Sequence, residues 1–382
     1  MRCLAVALAC AGCLSGWQAL TVHYSYGGNW TGLFCTGALF KAHPAALRSE
    51  NIYLFQNSFG YDGQLYHYIA HDPFFRRNFS DNIDSPRVRY RRILVPGLAF
   101  LLALGQDRAV DAAYVVVVAG FIFLGAYWLS RMAVAQGYSV ALGLLFGLVP
   151  AVLVSVDRLT VDVALAACCV GFALYARDQS PYKLYAVLAV AALARETGLL
   201  LVAAYVIYLL GRRRLRNAIV FATAAAPAGC WYIFVQLRTP PANPGYFSLA
   251  LFSGFIHRVL TPYPYPFSGI VVPIASSLDL LGLAGIAGAL CWACYRASRR
   301  AWTPLTAATY LFAILTITLS NGDAWSEVYA FGRTLTPLLL LSAVDGLTVG
   351  SVAPAVAMFA LDPRIALQVG GQILNVARGI GL

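Results

Sequence analysis

The residues best suited to chemistry lie in one polar interval, Gly60-Tyr61-Asp62-Gly63-Gln64-Leu65-Tyr66-His67-Tyr68-Ile69-Ala70. Asp62 could act as a general base, taking a proton from an attacking hydroxyl. The plainer reading is a turn or N-cap aspartate between Gly60 and Gly63. His67 and His71 are four apart and would share a helical face, which suits a metal, with Asp72 adjacent. Two histidines lack a firm third ligand, so no metal site is assigned and a divalent ion is the weaker reading. Arg87, Arg89, Arg91 and Arg92 surround Tyr90. Their planar forks match phosphate oxygens, although arginines at a helix start also serve as snorkelling anchors. Arg195-Glu196-Thr197 interrupts the apolar interval 182–210, and an ionisable pair at such depth is a functional candidate by default. Glu327 and Arg333, six apart around Tyr329, form a second acid and arginine grouping.

The elements that must position these residues are helices in a bilayer. The 382 residues are 60% hydrophobic and 11% charged, with a mean hydropathy of +0.70. That predicts an all-α membrane protein forming a single polytopic domain over 1–382. Hydrophobic runs of spanning character fall at about 3–22, 93–105, 109–130, 138–155, 159–176, 182–210, 217–237, 269–295, 303–319 and 334–360, about ten spans in all. The first run is expected to stay as an uncleaved helix, because its apolar part is long enough to span. With the N-terminus inside, the basic turns at Arg212-Arg213-Arg214 and Arg299-Arg300 face the cytoplasm. The intervals 23–92, 238–268 and 320–333 then face outward. Asp157, Arg158 and Asp162 fall on the inner side and read as topological charges.

Within 23–92, membrane-surface helices are expected, one running from Asp62 to Ala70 and limited by Pro73. The interval 238–268, with Thr239-Pro240-Pro241 and Tyr263-Pro264-Tyr265-Pro266, is expected to avoid regular helix and to form a lid or acceptor groove. The net charge of +11 is attributed to arginine anchors facing anionic lipid, with no nucleic-acid partner. Nine cysteines form no disulfide framework, and Cys291 with Cys294 has no second pair to complete a zinc site. No internal repeat is visible, which argues against transporters built from duplicated halves. No glycine fingerprint for a nucleotide is present.

Taken in order, these segments resemble the polytopic glycosyltransferases of the GT-C superfamily, and more narrowly its bacterial integral-membrane members. The matching segments are Gly60-Tyr61-Asp62-Gly63-Gln64 with Tyr66 and Asp72-Pro73, Tyr90-Arg91-Arg92-Ile93-Leu94-Val95-Pro96, Ala194-Arg195-Glu196-Thr197-Gly198, and Phe331-Gly332-Arg333-Thr334-Leu335-Thr336-Pro337. They cover roughly residues 1–340, and their order carries more weight than any one of them. Many members carry a second acid beside the first, whereas Tyr61 and Gly63 stand there in this chain.

The resemblance implies a GT-C-like fold with a structured first extracytoplasmic loop. It implies an enzyme that moves a sugar from a polyprenyl-phosphate donor to a hydroxyl of a glycan, lipid or protein acceptor, with inversion and no cofactor. Asp62 takes the family's catalytic acid position, and Arg195 or Arg333 would hold the lipid phosphate. Gln64, His67, Arg89, Arg91, Arg92, Glu196, Glu327 and Tyr329 complete the expected substrate and phosphate side. The implied location is the cytoplasmic (inner) membrane, multi-pass, working on its extracytoplasmic face. A transporter or flippase for lipid-linked sugars, or a non-catalytic binding subunit, would need many of the same residues.

Overall fold

A computed structural model describes residues 1–47, 50–241, 245–265 and 269–381. Among the described residues the fold is all-α apart from two paired two-residue strands, Thr36–Gly37 and Leu54–Phe55. Helix α1 (Arg2–Ser25) leads into a polar region that holds α2 (Asp62–His71), α3 (Pro86–Arg91) and the short α4 (Leu94–Leu102). Then come α5 (Asp107–Ala135), a 3-10 segment (Val140–Leu148) bent into α6 (Pro150–Arg158), and α7 (Asp162–Arg177). Helices α8 (Pro181–Ala194) and α9 (Leu199–Gly211) meet at Arg195, and α10 (Leu215–Ala222) continues into α11 (Ala226–Arg238). The last third contains α12 (Ser253–Leu260), α13 (Val271–Ser298), α14 (Pro304–Thr318) and α15 (Val328–Thr348). Three short helices follow: α16 (Ala353–Phe359), α17 (Asp362–Gln368) and α18 (Gly370–Gly379).

Among the described residues, four helices are long and apolar enough to cross a membrane: Arg2–Ser25, Asp107–Ala135, Leu215–Arg238 and Val271–Ser298. The pair Val140–Leu148 and Pro150–Arg158, bent by 57°, would make a fifth if it forms one broken span. This is fewer than the ten runs in the sequence. Several runs are helices of 16 residues or fewer, such as α7, α8, α9 and α14, and at about 1.5 Å per residue they fall short of a roughly 30 Å hydrocarbon layer. The outward faces remain apolar, with Leu8, Leu101, Val116, Ile219, Leu237 and Ile274 all exposed. A belt of this kind costs little against lipid and much against water.

The contacts define two ends of the bundle. At one end, α2 packs on α4 and α5, and Gly63 lies so close to the end of α6 that a side chain there would overlap the Arg158 carbonyl oxygen. At the other end, a cavity of about 310 Å3 is lined by Gln136 after α5, Arg177 of α7, Arg296 of α13, Thr303 before α14 and Asp345 of α15. The Arg177 guanidinium there donates to the Ala135 carbonyl at 2.8 Å.

This arrangement corrects the expected path of the chain twice. The run 93–105 does not cross: α4 has nine residues, and Asp107 just beyond it touches His71 of α2, so the chain returns to the end it left. The interval 182–210 is two helices joined at Arg195, where the backbone is extended. Along the bundle one traverse is lost and one turn is gained, so the chain after residue 212 keeps its expected end. Asp157, Arg158 and Asp162 change ends and join Asp62.

The interval 238–268 also differs from expectation, because it contains α12. Its prolines cluster at the two edges, and residues 245–261 contain none, so nothing blocks a helix there. Pro266 lies outside the described residues.

Candidate functional site

The Gly-Tyr-Asp-Gly-Gln segment folds as it does because both glycines are sterically required. Gly60 has a φ of +78°, and a Cβ there would sit 2.6 Å from the Cys35 carbonyl oxygen. Only glycine reaches that conformation without cost. Gly63 permits the approach to α6 described above. Gln64 is buried and clamps the loop, its Oε1 accepting from the Gly37 amide at 3.1 Å and its Nε2 donating to the Phe59 carbonyl at 2.9 Å. Expected beside the substrate, Gln64 instead shapes the loop that carries Asp62. Tyr61 is the N-cap residue and Asp62 the first helical residue of α2, with no side-chain cap. The carboxylate is therefore free to bond elsewhere.

Asp62 bonds to two arginines. Arg89 of α3 reaches its Oδ2 with Nη1 at 2.6 Å, and Arg333 of α15 pairs with the same oxygen from 271 residues away. Arg89 also pairs with Asp84, Nε to Oδ1 at 3.1 Å. Arg333 continues to Asp162 at the start of α7, Nη1 to Oδ2 at 3.4 Å, and stacks over the Tyr61 ring at 4.9 Å. Asp162 pairs through its other oxygen with Arg195, which also donates to Thr334 Oγ1 at 3.2 Å. A second pair runs between Arg92 and Glu196. Nε and Nη2 of Arg92 meet the two carboxylate oxygens at 2.8 and 2.5 Å, and Nη1 donates to the Tyr66 hydroxyl at 3.1 Å.

The row of arginines before α4 is divided by helical geometry. Positions 89 and 92 share one face of the chain and 87 and 91 the other. Arg87 donates to the Thr239 carbonyl at 2.5 Å and caps the end of α11, so it does not belong to the site. Arg91 lies over the Tyr232 ring at 5.3 Å and has no carboxylate partner among the described residues.

Burial raises the proton affinity of Asp62, but the Arg333 and Arg89 guanidinium groups outweigh it and hold the carboxyl far below the usual carboxylate range. Glu327, just before α15, has no ion pair among the described residues, and burial pushes its carboxyl up. Tyr329 faces the neighbouring group: its hydroxyl donates to Asp157 Oδ2 at 2.8 Å, and its ring meets Tyr61 edge-on at 5.9 Å.

The structure thus joins Asp62, Arg89, Arg195 and Arg333 in one chain of ion pairs, with Arg92 and Glu196 as a second pair. It takes His67 elsewhere, onto Asp111 and His71. The sequence reading assigned no site role to Asp84 or Asp162, nor to Tyr66 and Thr334, although the last two lie in the segments that carry the resemblance. Asp162 was hidden by the span count. Asp84 carried a signal of its own, an acid five residues before Arg89 in the same polar interval. Compared with known proteins, the chain matches no protein-family model, no curated protein and no solved structure.

Proposed function

We propose that the protein is a multi-pass membrane glycosyltransferase that moves a sugar from a polyprenyl-phosphate donor to an acceptor hydroxyl, with inversion. It would work on the extracytoplasmic face of the cytoplasmic membrane, without a cofactor. The observation that carries this reading is the meeting of Asp62, in the first polar region, with Arg333 near the end of the chain. Two segments so far apart, both singled out for their chemistry, share a carboxylate and a guanidinium at one end of the bundle.

In the proposed reaction the acceptor oxygen attacks the anomeric carbon. The bond from that carbon to the phosphate oxygen breaks, and the lipid phosphate leaves with the electron pair. Asp62 takes the hydroxyl proton, and arginines stabilise the charge on the departing phosphate. The resting cluster balances four carboxylates, Asp62, Asp84, Asp162 and Glu196, against four arginines, Arg89, Arg92, Arg195 and Arg333. A phosphate therefore needs either an unpaired cation or an exchange of partners. Arg91, beside the cluster and without a carboxylate partner among the described residues, could supply the first. Arg333 is the exchangeable one, because moving it to phosphate leaves Asp62 less stabilised as an anion and so a stronger base.

The test is transfer of radiolabelled sugar from polyprenyl phosphate by the purified protein, with Asp62→Asn as control. Wild-type transfer that falls by about 10²–10⁴-fold in the variant supports the reading. Donor binding without transfer by the wild type would make the protein a binding subunit. Neither binding nor transfer would sink the proposal.

A further inference from the structure

We propose that Glu50, His67, His71 and Asp111 form a binding site for a divalent transition-metal ion of the Zn2+ class, independent of sugar transfer. His67 and His71 lie four apart on α2, and Asp107 and Asp111 lie four apart at the start of α5. The two helices present these pairs to each other. The Nε2 atoms of the two imidazoles are 3.2 Å apart, and His67 Nε2 is 2.7 Å from Asp111 Oδ1. His71 Nε2 is 3.7 Å from Glu50 Oε2 and 3.8 Å from Asp111 Oδ1. A tetrahedral ion with bonds of about 2.0–2.1 Å separates its ligand atoms by about 3.3–3.4 Å. These spacings bracket that value, the donor atoms of Glu50, His67 and His71 all lie within 4.8 Å of one another, and Asp111 stands against both imidazoles as the fourth donor.

The surroundings are arranged for ligation. His71 Nδ1 meets Asp107 Oδ1 at 2.8 Å, and Arg77 holds that same carboxylate at 2.7 and 2.9 Å. A carboxylate accepting from Nδ1–H leaves the Nε2 lone pair facing inward, as in carboxylate–histidine–metal arrays. The Phe34 ring stacks on His67 at 4.1 Å and fixes its orientation. Neither oxygen of Glu50 has a hydrogen-bond partner among the described residues, although both are buried. Both imidazole side chains are fully buried, whereas Glu50 and Asp111 border an open cavity of about 450 Å3, which gives an ion a route in. Two nitrogen donors favour Zn2+ and its neighbours over Mg2+ or Ca2+, which prefer all-oxygen sites. An ion there would fasten the loop at Glu50 to α2 and α5.

The experiment uses the full-length protein in detergent, stripped with a chelator, incubated with Zn2+ or Mg2+ alone and desalted. One Zn2+ retained per chain, with no Mg2+, is expected, and the doubly substituted His67→Gln, His71→Gln chain should retain none. Asp107→Asn should weaken Zn2+ affinity about 10–100-fold, the usual effect of an outer carboxylate. If the double variant fails to fold, the rise in Tm on adding Zn2+ is compared between wild type and Glu50→Gln, which changes a loop residue. A smaller rise in Glu50→Gln supports the site. No retained Zn2+ in the wild type, retention unchanged in the double variant, an equal Tm rise in Glu50→Gln, or an equal response to Mg2+ each overturns it.

Discussion

Asp62 and Glu327 are carboxyl groups whose surroundings drive them in opposite directions, and that difference can be read in a pH profile. Arg333 and Arg89 outweigh burial at Asp62 and depress its pKa, while burial raises that of Glu327. A depressed group contributes stability above its unfolded pKa of about 3.9 and loses it as pH falls toward the folded value. If Asp62 of the free enzyme is the base, kcat/KM for transfer should stay level from neutral pH down to about pH 4–5. An acid limb above that range, removed by Glu327→Gln, would assign the proton to Glu327 instead. Asp62→Asn should also lower stability, by about 1–3 kcal/mol in a denaturant titration. The loss is limited because Arg89 keeps Asp84 and Arg333 keeps Asp162. The neighbouring arginines separate in the same way. Arg91→Lys should weaken donor binding roughly tenfold, the loss of one charge-assisted hydrogen bond, with Tm unchanged. Arg92→Lys breaks the two-point pairing with Glu196 and should lower Tm. The opposite pattern, donor loss with Arg92→Lys alone, would move the phosphate to Glu196's side.

At the scale of elements, some features were legible and others were not, for physical reasons. The helix at Asp62 was readable because glycine, an acid and a proline mark its ends, and α2 spans Asp62–His71 where Asp62–Ala70 was expected. The non-crossing α4 was harder. An apolar run of about a dozen residues reads the same whether it enters lipid or packs inside protein, and only its length below roughly 17 residues signals the second. Arg195-Glu196 was read as an interruption of one span, yet it is the apex between two helices, where charges can pair with other loop ends. The metal-binding reading lacked a third ligand in sequence because Glu50 and Asp111 come from other elements. Only the repeated spacing of four, in both 67/71 and 107/111, hinted at facing helices. The corrected path is checkable by cysteine labelling from one side of sealed vesicles. Cysteines at Gln106 and Gly28 should label together, and a cysteine at Arg213 only from the other side. Labelling of position 106 with position 213 would restore α4 as a crossing.

Across the whole molecule, ion pairs tie together helices that apolar packing alone would let slide. Asp279 of α13 pairs with Arg258 of α12 at 2.6 Å and with the fully buried Arg364 of α17 at 3.2 Å. Gln372 of α18 donates to Asp157 at 2.6 Å and to the Tyr26 hydroxyl at 3.0 Å, so the C-terminal helices close back onto the end of α1. Among the ion pairs of the described residues the main site has the longest reach, 271 residues from Asp62 to Arg333. That separation also sets an order of assembly in time. At synthesis rates of about 5–20 residues per second, Arg333 emerges roughly 15–50 s after Asp62. During that interval Asp62 can hold Arg89 but not Arg333, and Asp162 arrives before Arg195 and Arg333. A ribosome that stops before α15 leaves Asp62 with Arg89 and Asp162 with Arg195, but without the Arg333 that joins the two pairs. The site is therefore a late product of biosynthesis, and its chain of ion pairs is complete only when α15 docks.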